Sequence, residues 1–277
     1  MSSGITAHMV VKNEDQWVWF AISSVLPYVD SILITDTGST DRTVDIIKAV
    51  ASDKIIFNQV KATTKDDVTA VRQAQIENTK TSWIWIVDGD EIYGSDTAKE
   101  IVQAASADKY SAIVVRRYDL LGDIYHRQIE SVGSYNMFGQ SGHLLIRLLN
   151  KEVLKGLSVK GQYPLESYYT GSGKCVNDLG KDDVYITTGY LYHAMYLKRS
   201  SLGSNLSIFN RNKYKVETGI DIGTVGVDPR VDPSIPPVFY LPRPTSVPDP
   251  LVRRGLGYDL VAGIVTPLKN IKRRLSK

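Results

Sequence analysis

Trp83-Ile84-Trp85-Ile86-Val87-Asp88-Gly89-Asp90-Glu91 joins the most apolar run in the body of the chain to a cluster of carboxylates. Five consecutive apolar residues, rich in aromatic and β-branched types, predict a short strand buried on both faces. The carboxylates then fall where that strand leaves the sheet, and in open α/β folds ligands bind at this carboxyl edge. Asp88 and Asp90 flank a glycine that lets the backbone approach a ligand closely. Hard oxygen donors converging at such a turn suit a divalent cation and the diphosphate it holds. The same residues also suit an ordinary strand-ending turn, so the neighbouring segments decide.

Those segments repeat one pattern. Ile5 to Val11 reads as a strand, Lys12-Asn13-Glu14-Asp15 as a polar loop, and Trp17 to Leu26 as a helix. Ser31 to Thr35 is a second apolar strand running into Asp36-Thr37-Gly38-Ser39-Thr40-Asp41-Arg42-Thr43. Ser39 or Thr40 is expected to cap a helix with Val44, Ile47 and Val50 on one face. A third strand, Lys54 to Val60, precedes a helix from Asp67 to Asn78 that carries Arg72. Strands alternating with helices at this spacing predict an α/β fold, a mostly parallel sheet flanked by helices. Each polar loop then opens at the same edge.

Val10-Val11-Lys12-Asn13-Glu14, Asp36 to Thr43, Arg72 and Asp88-Gly89-Asp90-Glu91 resemble, in order, the nucleotide-binding motifs of family 2 glycosyltransferases, which have the Rossmann-like GT-A fold. The resemblance covers about the first hundred residues. It implies transfer of a sugar from a nucleoside diphosphate, with inversion at the anomeric carbon and help from Mn²⁺ or Mg²⁺. It implies that Asp36 accepts a hydrogen bond from the base, with UDP as the expected nucleotide. Val11, Asn13 and Glu14 would border the base, and Arg72 would reach the diphosphate. Asp88 would sit near the ribose and the metal, and Asp90 would ligate the cation. The duller readings are a turn residue for Asp36, a solvated arginine for Arg72 and a first-turn carboxylate for Glu14.

An attacking hydroxyl must lose its proton, so an acidic residue or histidine belongs in the second half. Glu166, in Tyr163-Pro164-Leu165-Glu166, is the first choice, although Leu165 stands where many relatives carry a histidine. Asp182 and Asp183, directly before a strand from Val184 to Thr188, are the runners-up. His193, among tyrosines, matches the position of a late residue that closes over the metal or diphosphate, and His143 is a candidate for the acceptor cleft. Strands at Tyr110–Arg116 and His143–Leu149 frame a long loop whose Tyr125, Tyr135 and Phe138 are suited to stacking on sugar rings.

The 277 residues are 43% hydrophobic, enough for a substantial core, and a single cysteine, Cys175, excludes an internal disulfide. No apolar run reaches membrane-spanning length and Met1-Ser2-Ser3-Gly4 lacks the marks of a signal peptide, so a cytoplasmic location is expected. The organisation expected is a catalytic domain over 1–227, divided near 95 into nucleotide and acceptor halves, then a strap over 228–250 and a tail over 251–277. The strap holds eight of the eleven prolines. The tail carries seven basic residues against one acidic and an apolar stripe, Leu256, Leu260, Ile264, Leu268, Ile271 and Leu275, at helical spacing. Peripheral membrane contact and oligomerisation are both open for it. The expected acceptor is a glycan or glycolipid. Other readings are glycosylation of a modified DNA base, a sugar-phosphate nucleotidyltransferase, and a non-catalytic domain that binds nucleotide or glycan. Lys12-Asn13-Glu14-Asp15 lacks the glycines of a nucleotidyltransferase loop.

Overall fold

The computed structural model describes residues 4–107, 109–128, 130, 134–200, 227–231 and 235–256, and then 259, 260, 264, 267, 268 and 271. The first part alternates strand and helix: β1 (Ile5–Val11), α1 (Val18–Val25), β2 (Ser31–Asp36), α2 (Thr43–Ala49), β3 (Ile55–Gln59), α3 (Lys65–Asn78) and β4 (Trp83–Ile86). Then come β5 (Glu91–Tyr93), α4 (Ser95–Ser106), β6 (Ala112–Leu121), β7 (Asp123–Gln128), β8 (Tyr135–Met137), β9 (Gln140–Gly142) and β10 (Leu144–Asn150). After α5 (Lys151–Leu154) follow β11 (Ser158–Lys160), β12 (Ser167–Tyr169), β13 (Val184–Tyr196) and β14 (Val227–Val231).

β4 sits near the middle of the main sheet because both of its faces are apolar. Trp83 and Trp85 point into a core shared with α1, α4 and the inner faces of β1 and β2. Ile84 and Ile86 point the other way, into a second core with Ile76 of α3 and Leu149 of β10. Local chemistry fixes the helix starts. Thr64 and Asp67 cap α3 reciprocally, so the helix begins two residues before the expected Asp67. Asp41, rather than Ser39 or Thr40, serves α2: its Oδ1 accepts from the Thr43 N–H at 2.9 Å.

The sheet is mixed. β3, β2, β1 and β4 run parallel, as the alternation predicts. β10 then enters antiparallel to both β4 and β6, which departs from the mostly parallel sheet expected. β13 runs on to Tyr196, parallel to β6 and antiparallel to β5, and its register sets His193 opposite both Asp119 and Glu91. The pairs β8–β9 and β11–β12 form small sheets of their own.

The proline-rich stretch packs against the body where the structure describes it. β14 pairs antiparallel with β7 at the sheet edge, so the boundary expected at 227/228 falls inside a strand. Pro229 is tolerated there because an edge strand need not donate on both sides. Val238, Phe239 and Val247 are buried in the main core, and the Phe239 ring lies 5.4 Å from that of Phe20. Phe239→Ala should therefore cost about 3–5 kcal/mol, measured by urea unfolding, whereas a loose strap would tolerate it.

Candidate active site

The loops at the carboxyl edge are tied to one another before they meet any ligand. Asn13, with φ 57°, turns the chain after β1. Its backbone N–H donates to Ser39 Oγ at 2.8 Å, and its Oδ1 accepts from the Thr40 N–H at 2.8 Å. The Glu14 N–H donates to Thr43 Oγ1 at 2.7 Å. Asp36 is spent within the same latch: its carboxylate accepts from the Gly38 and Ser39 N–H groups and from the Ser39 hydroxyl. Gly89 completes the joint, since a Cβ there would stand 3.0 Å from Val11 Cγ1 and 3.2 Å from Glu14 Cγ.

A cavity of about 850 Å³ opens over these loops, lined by Val11, Asn13, Glu14, Arg72, Asp88, Asp90, Glu166 and His193 among others. That volume suits a nucleotide-sized ligand. Its floor is a network of alternating charge. Arg72 donates from Nε to Glu166 Oε1 at 2.9 Å and from a terminal nitrogen to Asp88 Oδ1 at 3.4 Å. Arg147 donates to Asp88 Oδ2 at 2.8 Å and also pairs with the fully buried Glu91. Arg147 lies where the β10–β6 register slips, between Ile146 and Leu148. Such a bulge re-aims a side chain toward a site. Arg199, just beyond β13, pairs with Asp90 and lies 3.6 Å from Glu14 Oε1.

His193 bridges two carboxylates, Asp119 Oδ1 at 2.9 Å from Nδ1 and Asp90 Oδ2 at 3.4 Å from Nε2. Burial works against its charged form, but the Asp90 charge and the bonds to Asp119 and Asp90 outweigh it and raise the pKa to about 9. Burial likewise opposes ionisation of Asp90, yet Arg199 and His193 hold its carboxyl well below the usual range. Glu91 is pushed by burial to about 6 despite Arg147. In the ligand-free structure His193 thus spans Asp119 and Asp90 while lining the cavity.

The structure brings Val11, Asn13, Glu14, Arg72, Asp88, Asp90, Glu166 and His193 to one cavity. It leaves other candidates out. Asp36 is buried in its own loop, so base contact would require that latch to reopen. Asp182 is exposed in a separate hollow with Arg116, Lys181 and Thr188, away from the carboxylate cluster. His143 stands behind the wall, 3.4 Å from Asp119 Oδ2. Sequence reasoning missed Arg147, Arg199 and Asp119, whose pairings with Glu91, Asp90 and His193 span 56, 109 and 74 residues.

Comparison with known proteins decides the family. The profile described as Glycosyl transferase family 2 matches residues 6–152, more than half of the chain. The chain belongs to glycosyl transferase family 2. Its mixed α/β sheet, with every motif at one edge, is the fold class that the motifs implied. Among curated members, the SPbeta prophage-derived glycosyltransferase SunS of Bacillus subtilis (strain 168) is 30% identical over 109 residues, 39% of this chain and 25% of SunS. The chain thus spans about a quarter of the length of that relative. Among solved structures, S. aureus TarS 1-349 in complex with UDP-GlcNAc is similar at TM-score 0.47 and 10% identity, over 68% of this chain and 58% of that one. The mannosyltransferase PcManGT from Pyrobaculum calidifontis, in complex with GDP-Man and Mn²⁺, aligns at TM-score 0.44 and 11% identity, over 96% and 71% of the two chains.

The histidine bridge gives this family member a specific pH signature. Because the folded pKa of His193 is raised from 6.5 to about 9, the bridge contributes fully below pH 6.5 and is lost as pH rises through about 9. The melting temperature of the ligand-free protein should fall as pH rises between those limits. His193→Gln should flatten that slope.

Proposed function

We propose that this chain transfers a sugar from a nucleoside diphosphate, a UDP-sugar, to a hydroxyl of a glycan or glycolipid acceptor, with inversion and with a divalent cation. The observation that carries the reading is the convergence of Asp88, Asp90, Arg72, Arg147 and Arg199 on one nucleotide-sized cavity at the sheet's carboxyl edge. Membership of the family supports the reaction class.

The donor set fits a hard cation that arrives with its substrate. Among the described residues no three His, Cys, Asp or Glu side chains converge to cage a metal alone. Mg²⁺ and Mn²⁺ ordinarily take one or two carboxylates and complete the shell with phosphate and water. Asp90 would be the principal ligand, with Asp88 beside it. When bound, such a cation stabilises the charge left on the departing nucleoside diphosphate without a proton transfer. Arg199 and His193 now hold Asp90, so both must yield it, which leaves their positive charge free to face the donor's phosphates. Arg72 is placed to do the same from Asp88.

On the acceptor side, Glu166 is the base we favour over Asp182. Its side chain lines the cavity, Arg72 bonds one oxygen, and Oε2 is buried without a hydrogen-bond partner. An orphaned acceptor is costly unless a ligand hydroxyl meets it. Tyr135, 50% exposed, lines the same cavity with Met137 and Arg117 and offers a face to a sugar ring. The base would be bordered by Val11 and Asn13, with Asp36 acting through the loop it holds.

Incubation with a panel of nucleotide sugars, with and without Mn²⁺, tests the proposal. One nucleoside diphosphate should be released in a metal-dependent way, and release that ignores every donor would refute it. Asp90→Asn should lower the rate at least about 100-fold and, because it leaves the buried Arg199 and His193 without their carboxylate, should also lower the melting temperature. Glu166→Gln should lower turnover roughly 100- to 10,000-fold while nucleotide affinity holds. Arg199→Ala should strengthen Mn²⁺ binding to the nucleotide-free protein, read by titration calorimetry, because it removes the cation already resting on Asp90.

A further inference from the structure

The stretch after residue 255 presents apolar side chains that the rest of the described structure leaves uncovered. Leu256, Leu260, Ile264, Leu268 and Ile271 are helical and are 82, 69, 67, 62 and 55% exposed. Steps of four and three residues keep them on one helix face. A contiguous row of large aliphatic side chains facing water marks an interaction surface, whereas scattered single ones would not.

The row begins at a fixed point. The Arg254 N–H donates to Asp123 Oδ2 at 3.1 Å, and its guanidinium reaches the Leu121 carbonyl at 3.3 Å. Arg253 stacks over the Tyr125 ring at 4.1 Å. These contacts tie residues 253 and 254 to the end of β6 and to β7. Beyond them charge is segregated along the sequence. Asp259 is the only acidic residue and already pairs with Arg254 at 2.6 Å, while Lys269, Lys272, Arg273, Arg274 and Lys277 have no acidic neighbour in the stretch.

We propose that the stretch carrying Leu256, Leu260, Ile264, Leu268 and Ile271 docks on an anionic lipid surface, its Leu and Ile row meeting the acyl boundary and the basic residues of its sequence supplying the attraction to acidic headgroups. Apolar area combined with clustered Lys and Arg is the combination that holds an interfacial helix on acidic lipid. A second copy of this stretch is the poorer occupant, because it brings five more cations and no free carboxylate to meet them. Among the described residues no helix is long and apolar enough to cross a membrane, so the contact is peripheral. The inference is independent of the donor-site reading and survives or fails separately from it.

The test is co-sedimentation of the full chain with sucrose-loaded vesicles, of phosphatidylcholine alone or mixed with phosphatidylglycerol, at low and high salt. The expected result is binding to the acidic vesicles that weakens with salt and is slight on the neutral ones. Leu260→Glu/Ile264→Glu should lower it about tenfold or more, and Arg273→Glu/Arg274→Glu, which spares the apolar row, should lower it comparably. Both pairs lie outside the donor cavity, so melting profiles and donor turnover in solution should match the parent. Equal binding to neutral and acidic vesicles, no binding, or binding unchanged in both variants would overturn the proposal. So would a parent dimer, seen by light scattering, that Leu260→Glu/Ile264→Glu converts to monomer while neither form binds vesicles.

Discussion

At the end of β4 two carboxylates, Asp90 and Glu91, are buried beside a third, the partly exposed Asp88, and cations drawn from remote segments make that arrangement tolerable. A buried charge without a partner costs several kcal/mol, so the site requires its counter-ions to be built by the fold. Arg72 comes from α3, Arg147 from β10 and Arg199 from beyond β13. The antiparallel entry of β10 between β4 and β6 is therefore more than a topological detail. It carries a guanidinium to the end of β4, where carboxylates gather, and the register slip at Arg147 points it there.

The same network explains what the family motifs do in the ligand-free protein. Asp36 to Thr43 is the most specific stretch of the sequence, yet its hydrogen bonds go to the backbone around Asn13 and Glu14 and to its own turn. It acts as scaffold for the β1 loop, which in turn packs against Gly89. Asp90 is equally occupied, by Arg199 and His193. In the ligand-free site the positive groups rest on its own carboxylates. Ligand binding then becomes an exchange of partners, which limits the desolvation cost that naked charges would impose.

How much of this could be read from the chain follows from the range of the interactions. The β4 run, the strand–helix alternation and the edge position of Asp88 and Asp90 are local patterns, and the structure has all three. Arg147, Asp119 and Arg199 carry no local signature, because their meaning comes from pairings across 56, 74 and 109 residues. How the proline-rich stretch packs was hidden for a related reason. Proline density reports on helix formation and missing donors, but it is silent on Val238, Phe239 and Val247, which bind the stretch to the core. Asp182 stood out in sequence only because it precedes a strand, and β13 approaches the cavity with its other end, at His193 and Met195.

The walls of the cavity differ in how firmly they are held. The donor side rests on β1 and β4, whose side chains fill the two cores, and a change there is felt throughout the sheet. The opposite wall comes from β8, β12 and the segment at Tyr163 to Glu166, and the strands among these belong to small two-stranded sheets outside the main one. Side chains such as Tyr135 and Met137 can be exchanged there at little cost to the core. Chemistry common to a family belongs on the rigid wall and recognition of the acceptor on the replaceable one. Glu166, the base proposed above, lies at their junction, on the variable side yet bonded to Arg72 of the fixed side.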